Sequence, residues 1–92
     1  MLPENWAKFT DHESYEADSL MAEGFIHCSF ENQIEAVLER YFSNVEKVII
    51  LHLETDLLTE KLVVEPSTNG ELYPHIYGKI NRKAIVKIEE RH

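Results

Sequence analysis

The chain has 92 residues, of which 43% are hydrophobic and 28% are charged, and this is the ordinary composition of one globular domain. Its formal net charge is −8, and residues 1–46 alone hold ten acidic against two basic side chains. An acidic surface of this kind repels phosphate backbones, which argues against general nucleic-acid binding. A single cysteine excludes an internal disulfide, and there is neither a leader-like N-terminus nor an apolar run longer than four residues. These features predict a cytoplasmic protein that does not cross a membrane.

The first elements in chain order are a short helix over residues 3–9, a polar loop over residues 10–18 and a strand over residues 25–28. Pro3 suits the first position of a helix, and Glu4 lies at the positive end of its dipole. The next helix, over residues 30–43, has the clearest signal, because apolar residues recur there at the spacing of one helical face. Ser29 is the predicted N-cap of this helix.

The second half of the chain is predicted to consist mainly of strands. Residues 48–53 form a near-continuous apolar run typical of a buried strand, and residues 62–65 form another that ends at Pro66. A turn over residues 67–70 follows. Residues 73–77 are predicted to be extended but irregular, because Pro74 has no N–H to donate to a neighbouring strand. Residues 84–89 form the last strand.

About five strands with two helices, most strands following one another directly, predict a single α+β domain over residues 1–92. The sheet is expected to be small, mostly antiparallel and split.

Two short segments have the composition of a functional site. They are Gly24-Phe25-Ile26-His27-Cys28-Ser29 and Tyr73-Pro74-His75-Ile76-Tyr77-Gly78. Because side chains alternate along a strand, Phe25, His27 and Ser29 share one face of the first segment, and Tyr73, His75 and Tyr77 share one face of the second. If these faces form opposing walls of one hollow, they supply rings for stacking and imidazoles for proton transfer. The alternative is structural, since strand histidines and tyrosines often serve only to complete a core.

Other candidates are less suited to chemistry. Alternation turns Cys28 away from His27 and toward the core, where burial raises the pKa of a thiol and lowers its reactivity. The sequence contains no metal-ligand spacing and no glycine-rich phosphate loop. Glu65 and Glu71 could orient an imidazole or bind a ribose hydroxyl, but a solvated carboxylate is the usual state of such residues.

Along nearly its whole length the chain resembles the small bacterial proteins called domain of unknown function 952. The resemblance lies in Ser19-Leu20, Glu23 to Ser29, Gln33, Tyr41-Phe42, Glu65-Pro66 and Gly70-Glu71, and in Tyr73 to Gly78. Members of this family look similar in fold to ADP-ribosyltransferases, which bind NAD in a cleft. The resemblance therefore implies an ADP-ribosyltransferase-like fold and NAD as a possible substrate.

The resemblance also implies roles for individual residues. His27-Cys28-Ser29 matches the His-x-Ser pattern of many such enzymes, so His27 would hold the nicotinamide ribose and Ser29 the carboxamide, with Cys28 contributing only its backbone. Tyr77 or Tyr73 would stack on the nicotinamide ring beside Phe25. His75 would be a second polar contact, and Glu65 would stabilise the oxocarbenium-like transition state.

Three hypotheses follow for the function. The first is an enzyme of the ADP-ribosyl-transfer type, for which His27, His75 and Glu65 are the candidate catalytic residues. The second is a non-catalytic module that binds a nucleotide or another small ligand in the same pocket, or a protein partner at an exposed sheet edge. The third is a purely structural role for both histidines, with the function residing in protein contacts.

Overall fold

A computed structural model describes residues 1–67 and 70–92 of the chain. Three short α-helices lie within these residues: α1 (Pro3–Ala7), α2 (Asp18–Glu23) and α3 (Ile34–Phe42). Single turns of 3-10 helix occupy Glu31–Gln33, Thr55–Leu57 and Arg82–Ala84. The strands of the same residues are β1 (Ser14–Tyr15), β2 (Ile26–His27), β3 (Val48–Leu53), β4 (Leu62–Pro66), β5 (Leu72–Ile76), β6 (Ile80–Asn81) and β7 (Ile85–Arg91). None of these helices has the length and apolar character that spanning a membrane requires.

Every strand pair in the described residues is antiparallel, which confirms the predicted α+β class with antiparallel pairing. The strands form three small sheets, ordered β1-β6, β2-β5-β4 and β3-β7, where the sequence predicted about five strands in one split sheet. The difference arises because β1 and β6 have two residues each, too few to show a periodicity in the sequence. β3 and β7 pair only with each other, with an irregularity in the register at His52 and Leu53.

One hydrophobic core lies between the sheets and the first two helices. Its buried members are Trp6, Tyr15, Ile26, Ile49, Ile76 and Ile80. Ile76 is completely buried, and in the register of the three-stranded sheet it lies between Ile26 and Leu62. The core therefore fixes the central strand β5 against both of its neighbours.

The region predicted as a loop over residues 10–18 contains regular structure. Tyr15 is buried in the core, and its strand β1 is held by pairing with β6, a contact between distant parts of the chain. The α2 helix then begins at Asp18 and ends at Gly24, which adopts the left-handed conformation with φ of 89°. The polar local sequence concealed β1, because its pairing with β6 is a contact between distant parts of the chain.

The start of the main helix differs from the prediction at one residue. The chain enters through the 3-10 turn, and Phe30 occupies the position before it instead of Ser29. The side-chain oxygen of Gln33 accepts a hydrogen bond from the Phe30 N–H at 2.8 Å, which satisfies one of the free donors at this end. Ser29 is therefore not the N-cap. The apolar face of α3 remains only partly covered, and Tyr41 is 63% exposed.

Residues 73–77 were predicted to be irregular, and this was wrong for most of the segment, because β5 is the central strand of its sheet. In the extended register Pro74 lies opposite Cys28, and the Pro74 carbonyl accepts from the Cys28 N–H at 3.0 Å. The missing proline donor thus falls at the end of β2, where it removes only the last bond of the ladder. On the β4 side Pro74 pairs with Val64.

The predicted turn over residues 67–70 includes positions 68 and 69, which lie outside the described residues. At its two ends, the Ser67 N–H donates to the Glu71 carbonyl at 3.0 Å. This bond continues the β4–β5 pairing beyond Pro66, so the two strands form a hairpin.

Candidate functional site

The two motifs meet on one face of the β2–β5–β4 sheet. His27 and His75 are direct partners in the β2–β5 register, so their side chains project from the same face. Their ring centroids are 5.2 Å apart and the planes are nearly perpendicular, at 81°. We call Phe25, His27, His75 and Tyr77 the ring cluster.

Phe25 is the centre of the ring cluster. Its ring stacks on His75 with centroids 4.3 Å apart and an angle of 20° between the planes. It meets the ring of His27 edge-on at 4.9 Å and the ring of Tyr77 at 5.3 Å. Offset and edge-to-face contacts of this kind are favourable between aromatic rings, so the cluster is a packed surface and not an open pair of walls.

Glu65 joins the cluster through hydrogen bonds. It lies on β4, and its Oε1 accepts from His75 Nδ1 at 2.7 Å and from the Tyr77 hydroxyl. The bond from Tyr77, and after it the bond from His75, lowers the pKa of Glu65 below its usual range. The same contact raises the pKa of Tyr77, because the neighbouring carboxylate disfavours a phenolate. Glu65 is therefore a carboxylate held in place by two donors.

His75 is nearly fully buried, with 3% of its surface exposed. Because carboxylate oxygens only accept, the His75 Nδ1 carries a proton and donates it to Glu65. Within the described residues the buried Nε2 of the same ring has no hydrogen-bond partner. The bond to Glu65 therefore fixes the orientation of the His75 ring, and the other ring nitrogen points into the protein.

His27 is held from the other side by the end of α2. Its Nε2 lies 2.8 Å from Glu23 Oε2, and both side chains are about half exposed, at 48% and 51%. Gly24 ends the helix in the left-handed conformation, which lets the chain reverse between Glu23 and β2. His27 is therefore the exposed histidine of the cluster and forms its rim, whereas His75 is the buried one.

The structure thus brings together five of the residues predicted from the sequence, the ring cluster and Glu65. It does so on neighbouring strands of one sheet, so the predicted arrangement of opposing walls is not the one observed. Two clefts of the described surface lie elsewhere, one beside Glu60 and Gly78 and one between α3 and Arg91.

The remaining predicted residues are less closely associated with the cluster. Tyr73 lies opposite Glu65 in the register, on the same face, but makes no ring contact with the cluster in the described chain. Ser29 lies two residues after the end of β2, and its side chain makes no hydrogen bond within the described residues. Cys28 was predicted among the ligand-binding residues through its backbone, and this stays a prediction. Its side chain packs against the core, burial raises the pKa of its thiol to about 12, and its N–H is already bonded to Pro74.

Two supporting residues did not emerge from the motif reasoning as part of a site. Glu23 lies four positions before His27, a spacing that could have indicated the pair. Gln33 donates to Glu71 Oε2 and to the Leu72 carbonyl, each at 2.8 Å, and so attaches the start of the helical segment to β5. Residues 1–67 and 70–92 contain no group of three or more His, Cys, Asp or Glu side chains that could hold a metal ion.

A family model described as protein of unknown function (DUF952) matches residues 1–88 of the chain. The chain belongs to this family. The resemblance stated from the sequence motifs is thereby confirmed, and it covers both segments of the site.

Among solved structures, the DUF952 chain is similar to the crystal structure of protein CC0527 from Caulobacter crescentus. The identity is 23%, the TM-score is 0.82, and the match covers 98% of this chain and 80% of that chain. A double mutant of the same protein matches at 22% identity with a TM-score of 0.81 and the same coverage. At these identities the likeness shows a shared fold. The comparison with curated proteins finds no match.

Proposed function

We propose that this DUF952 protein is an enzyme of the ADP-ribosyl-transfer type that binds NAD on the face carrying the ring cluster. The observation that carries the proposal is the position of Glu65, whose carboxylate is held by His75 and Tyr77 beside a set of aromatic rings. Stacking rings, an exposed imidazole and a fixed carboxylate on one face are the groups that recognition and cleavage of a nicotinamide riboside require.

The proposed reaction breaks the bond between the nicotinamide nitrogen and ribose C1′. Nicotinamide leaves with the electron pair of that bond, an acceptor nucleophile or water forms a new bond to C1′, and the nucleophile loses its proton. Positive charge develops on the ribose in the transition state. A carboxylate whose pKa is lowered stays ionised at neutral pH and stabilises that charge.

The other residues have roles that follow from their positions. His27, at the exposed rim, binds a ribose hydroxyl, and Tyr77, 39% exposed, stacks on the nicotinamide ring. Ser29 and Tyr73 lie at the edge of this face, where they contact the carboxamide and the rest of the ligand. His75 is a positioning residue, since its buried ring donates a hydrogen bond to Glu65 and holds that carboxylate in place.

The test is a titration with NAD followed by amide NMR shifts and by release of nicotinamide. We expect shifts at residues 24–29 and 73–78, and slow nicotinamide release that falls at least a hundredfold in Glu65→Gln while binding is retained. Glu54→Gln is the matched control, because Glu54 is an exposed carboxylate away from the ring cluster. Absence of shifts in these segments at millimolar NAD, or equal turnover by the wild type and Glu65→Gln, would contradict the proposal.

A second candidate is a non-catalytic module that binds a nucleotide or similar small ligand on the same face. It is favoured by one observation: Glu65 Oε1 already accepts hydrogen bonds from His75 and Tyr77 within the chain, which reduces its capacity to contact a substrate. The titration separates the two candidates, since NMR shifts at the ring cluster without any release of nicotinamide support binding alone. The cytoplasmic location and the absence of general nucleic-acid binding stay predictions from the sequence.

A further inference from the structure

Strand β7 has an open edge that the domain itself does not use. The strand has seven residues, and in residues 1–67 and 70–92 it pairs with β3 only, so its other edge carries main-chain groups with no strand partner. Two large apolar side chains on it are exposed, Val86 at 58% and Ile88 at 47%. A long edge with exposed apolar side chains is a surface on which another strand can pair.

The other strands present weaker or partly covered edges. The second edge of β3 is bonded to the N-terminus, where Ile49 and Met1 exchange two main-chain hydrogen bonds of 2.8 Å. The outer strand β4 includes Pro66, which lacks a donor, and β1, β2 and β6 have two residues each. Proline and short length are the usual means by which a protein prevents pairing at an edge. β7 has neither of these features. The charge of Lys87 in mid-strand and the irregular register at Val86, opposite His52 and Leu53, oppose pairing with an arbitrary partner.

The charges along β7 are complementary to a second copy of the same strand. If two β7 strands pair antiparallel about a twofold axis at Ile88, residue numbers of opposite partners add to 176. Lys87 of each copy then faces Glu89 of the other, and Ile88 faces itself. In the single chain Lys87 has no ion-pair partner among the described residues, so this pairing gives it one.

Neighbouring registers lack this complementarity. A shift that centres the axis on Lys87 places two lysines in direct opposition, and a shift that centres it on Glu89 places two glutamates there. Like charges opposite each other in a sheet are destabilising. The strand as a whole holds two acidic and two basic residues, so the edge is locally neutral even though the chain carries a charge of −8.

We propose that β7 is the interface of a homodimer, in which two copies join their β3–β7 sheets into one continuous four-stranded antiparallel sheet with Ile88 at the twofold axis. The exposed Ile88 side chains of the two copies then meet at the centre of the joint. The dimer leaves the ring cluster exposed, because that cluster lies on the separate β2–β5–β4 sheet.

Two charge-reversal variants, measured first alone and then as a mixture, test whether a second copy is the partner and whether the proposed register is correct. Lys87→Glu should give a monomer, because the new carboxylate of each copy then faces Glu89 of the other and repulsion replaces both ion pairs. Glu89→Lys should give a monomer for the converse reason. An equimolar mixture of the two variants should restore a dimer, because one copy then supplies acids at both positions and the other supplies bases. The measurement is sedimentation velocity at 10–300 μM, with Lys83→Glu as control, since Lys83 lies on the 3-10 turn outside the strand.

A second measurement does not depend on Glu89, which also binds His52 and Arg91 within the chain. Ile88→Cys places two thiols at the axis, at the separation of directly opposed strand residues, and should form an intermolecular disulfide under mild oxidation. Val86→Cys should not form this disulfide, because in the proposed register residue 86 of one copy lies opposite residue 90 of the other, four positions from the second thiol. A wild type that sediments as a monomer up to 300 μM, or equal cross-linking of both cysteine variants, would overturn the proposal.

Discussion

Glu65 is the side chain on which the candidate site depends. One of its oxygens receives hydrogen bonds from a buried imidazole and from a tyrosine hydroxyl, and these bonds link β4 to β5 and to the residue that follows β5. The contacts favour the ionised carboxylate in the folded chain, so the pKa of Glu65 is lower there than in the unfolded chain. Protonation of Glu65 is therefore coupled to stability.

The lowered pKa predicts a specific loss of stability in acid. The stabilisation is fully present above the usual glutamate pKa of 4.5, and it is lost as the pH falls through the lower pKa of the folded state. We expect the urea midpoint of the wild type to fall more steeply between pH 5 and pH 3 than that of Glu65→Gln. Glu54→Gln should keep the slope of the wild type. Parallel curves for wild type and Glu65→Gln would show that Glu65 does not contribute to the acid response.

The connection from α2 to β2 depends on the backbone of one residue. Gly24 ends the helix with φ of 89°, and its N–H donates to the Leu20 carbonyl at 3.0 Å. The strand that carries His27 begins two residues later. This reversal brings Glu23 and His27 within hydrogen-bond distance, so the end of the helix determines the position of the rim of the site.

Gly24→Ala should destabilise the domain by about 1–2 kcal/mol, the cost of placing an L-residue in the left-handed conformation. Apart from Gly24 and its two chain neighbours, no described residue has an atom within 4 Å of an added Cβ, so the effect comes from the backbone and not from a clash. Gly24→Asn should cost less, because asparagine tolerates this conformation better. Urea unfolding measures both changes. Equal stability of Gly24→Ala and the wild type would be inconsistent with the left-handed helix end.

The molecule as a whole depends on a small core. In residues 1–67 and 70–92, six buried side chains form its central cluster, and Ile76 among them is completely inaccessible to solvent. A chain of 92 residues buries a smaller share of its surface than a large protein does, so each core side chain accounts for a larger part of the total stability. The residue next to Ile76 is His75, so the core and the site share strand β5.

Ile76→Ala should lower the free energy of unfolding by about 2–5 kcal/mol, because it removes buried methyl groups and leaves a cavity. We expect it also to disturb the ring cluster, which NMR shifts of Phe25 and Tyr77 would report. Met21→Ala is the control, since Met21 is 90% exposed on α2, and its effect should stay within about 0.5 kcal/mol. A stable Ile76→Ala protein would show that the core is formed differently.

Local patterns in the sequence were sufficient for several features. The alternation of side chains placed His27 and Phe25 on one face and turned Cys28 inward, because the period of a strand depends only on its own backbone. The apolar run at Val48–Leu53 predicted β3 with its observed bounds. The family also followed from two short motifs in the sequence, because each contains several uncommon residues at fixed positions.

Tertiary structure alone decided how these parts meet. The register that sets His27 opposite His75 joins strands 48 positions apart, and no local pattern specifies it. The same holds for β1, which forms only because Tyr15 enters the core and β6 pairs with it. Side-chain periodicity is a property of the local backbone and can be seen in the sequence. The position of Glu65 between His75 and Tyr77 depends on the pairing of β4 with β5, and no local pattern specifies it.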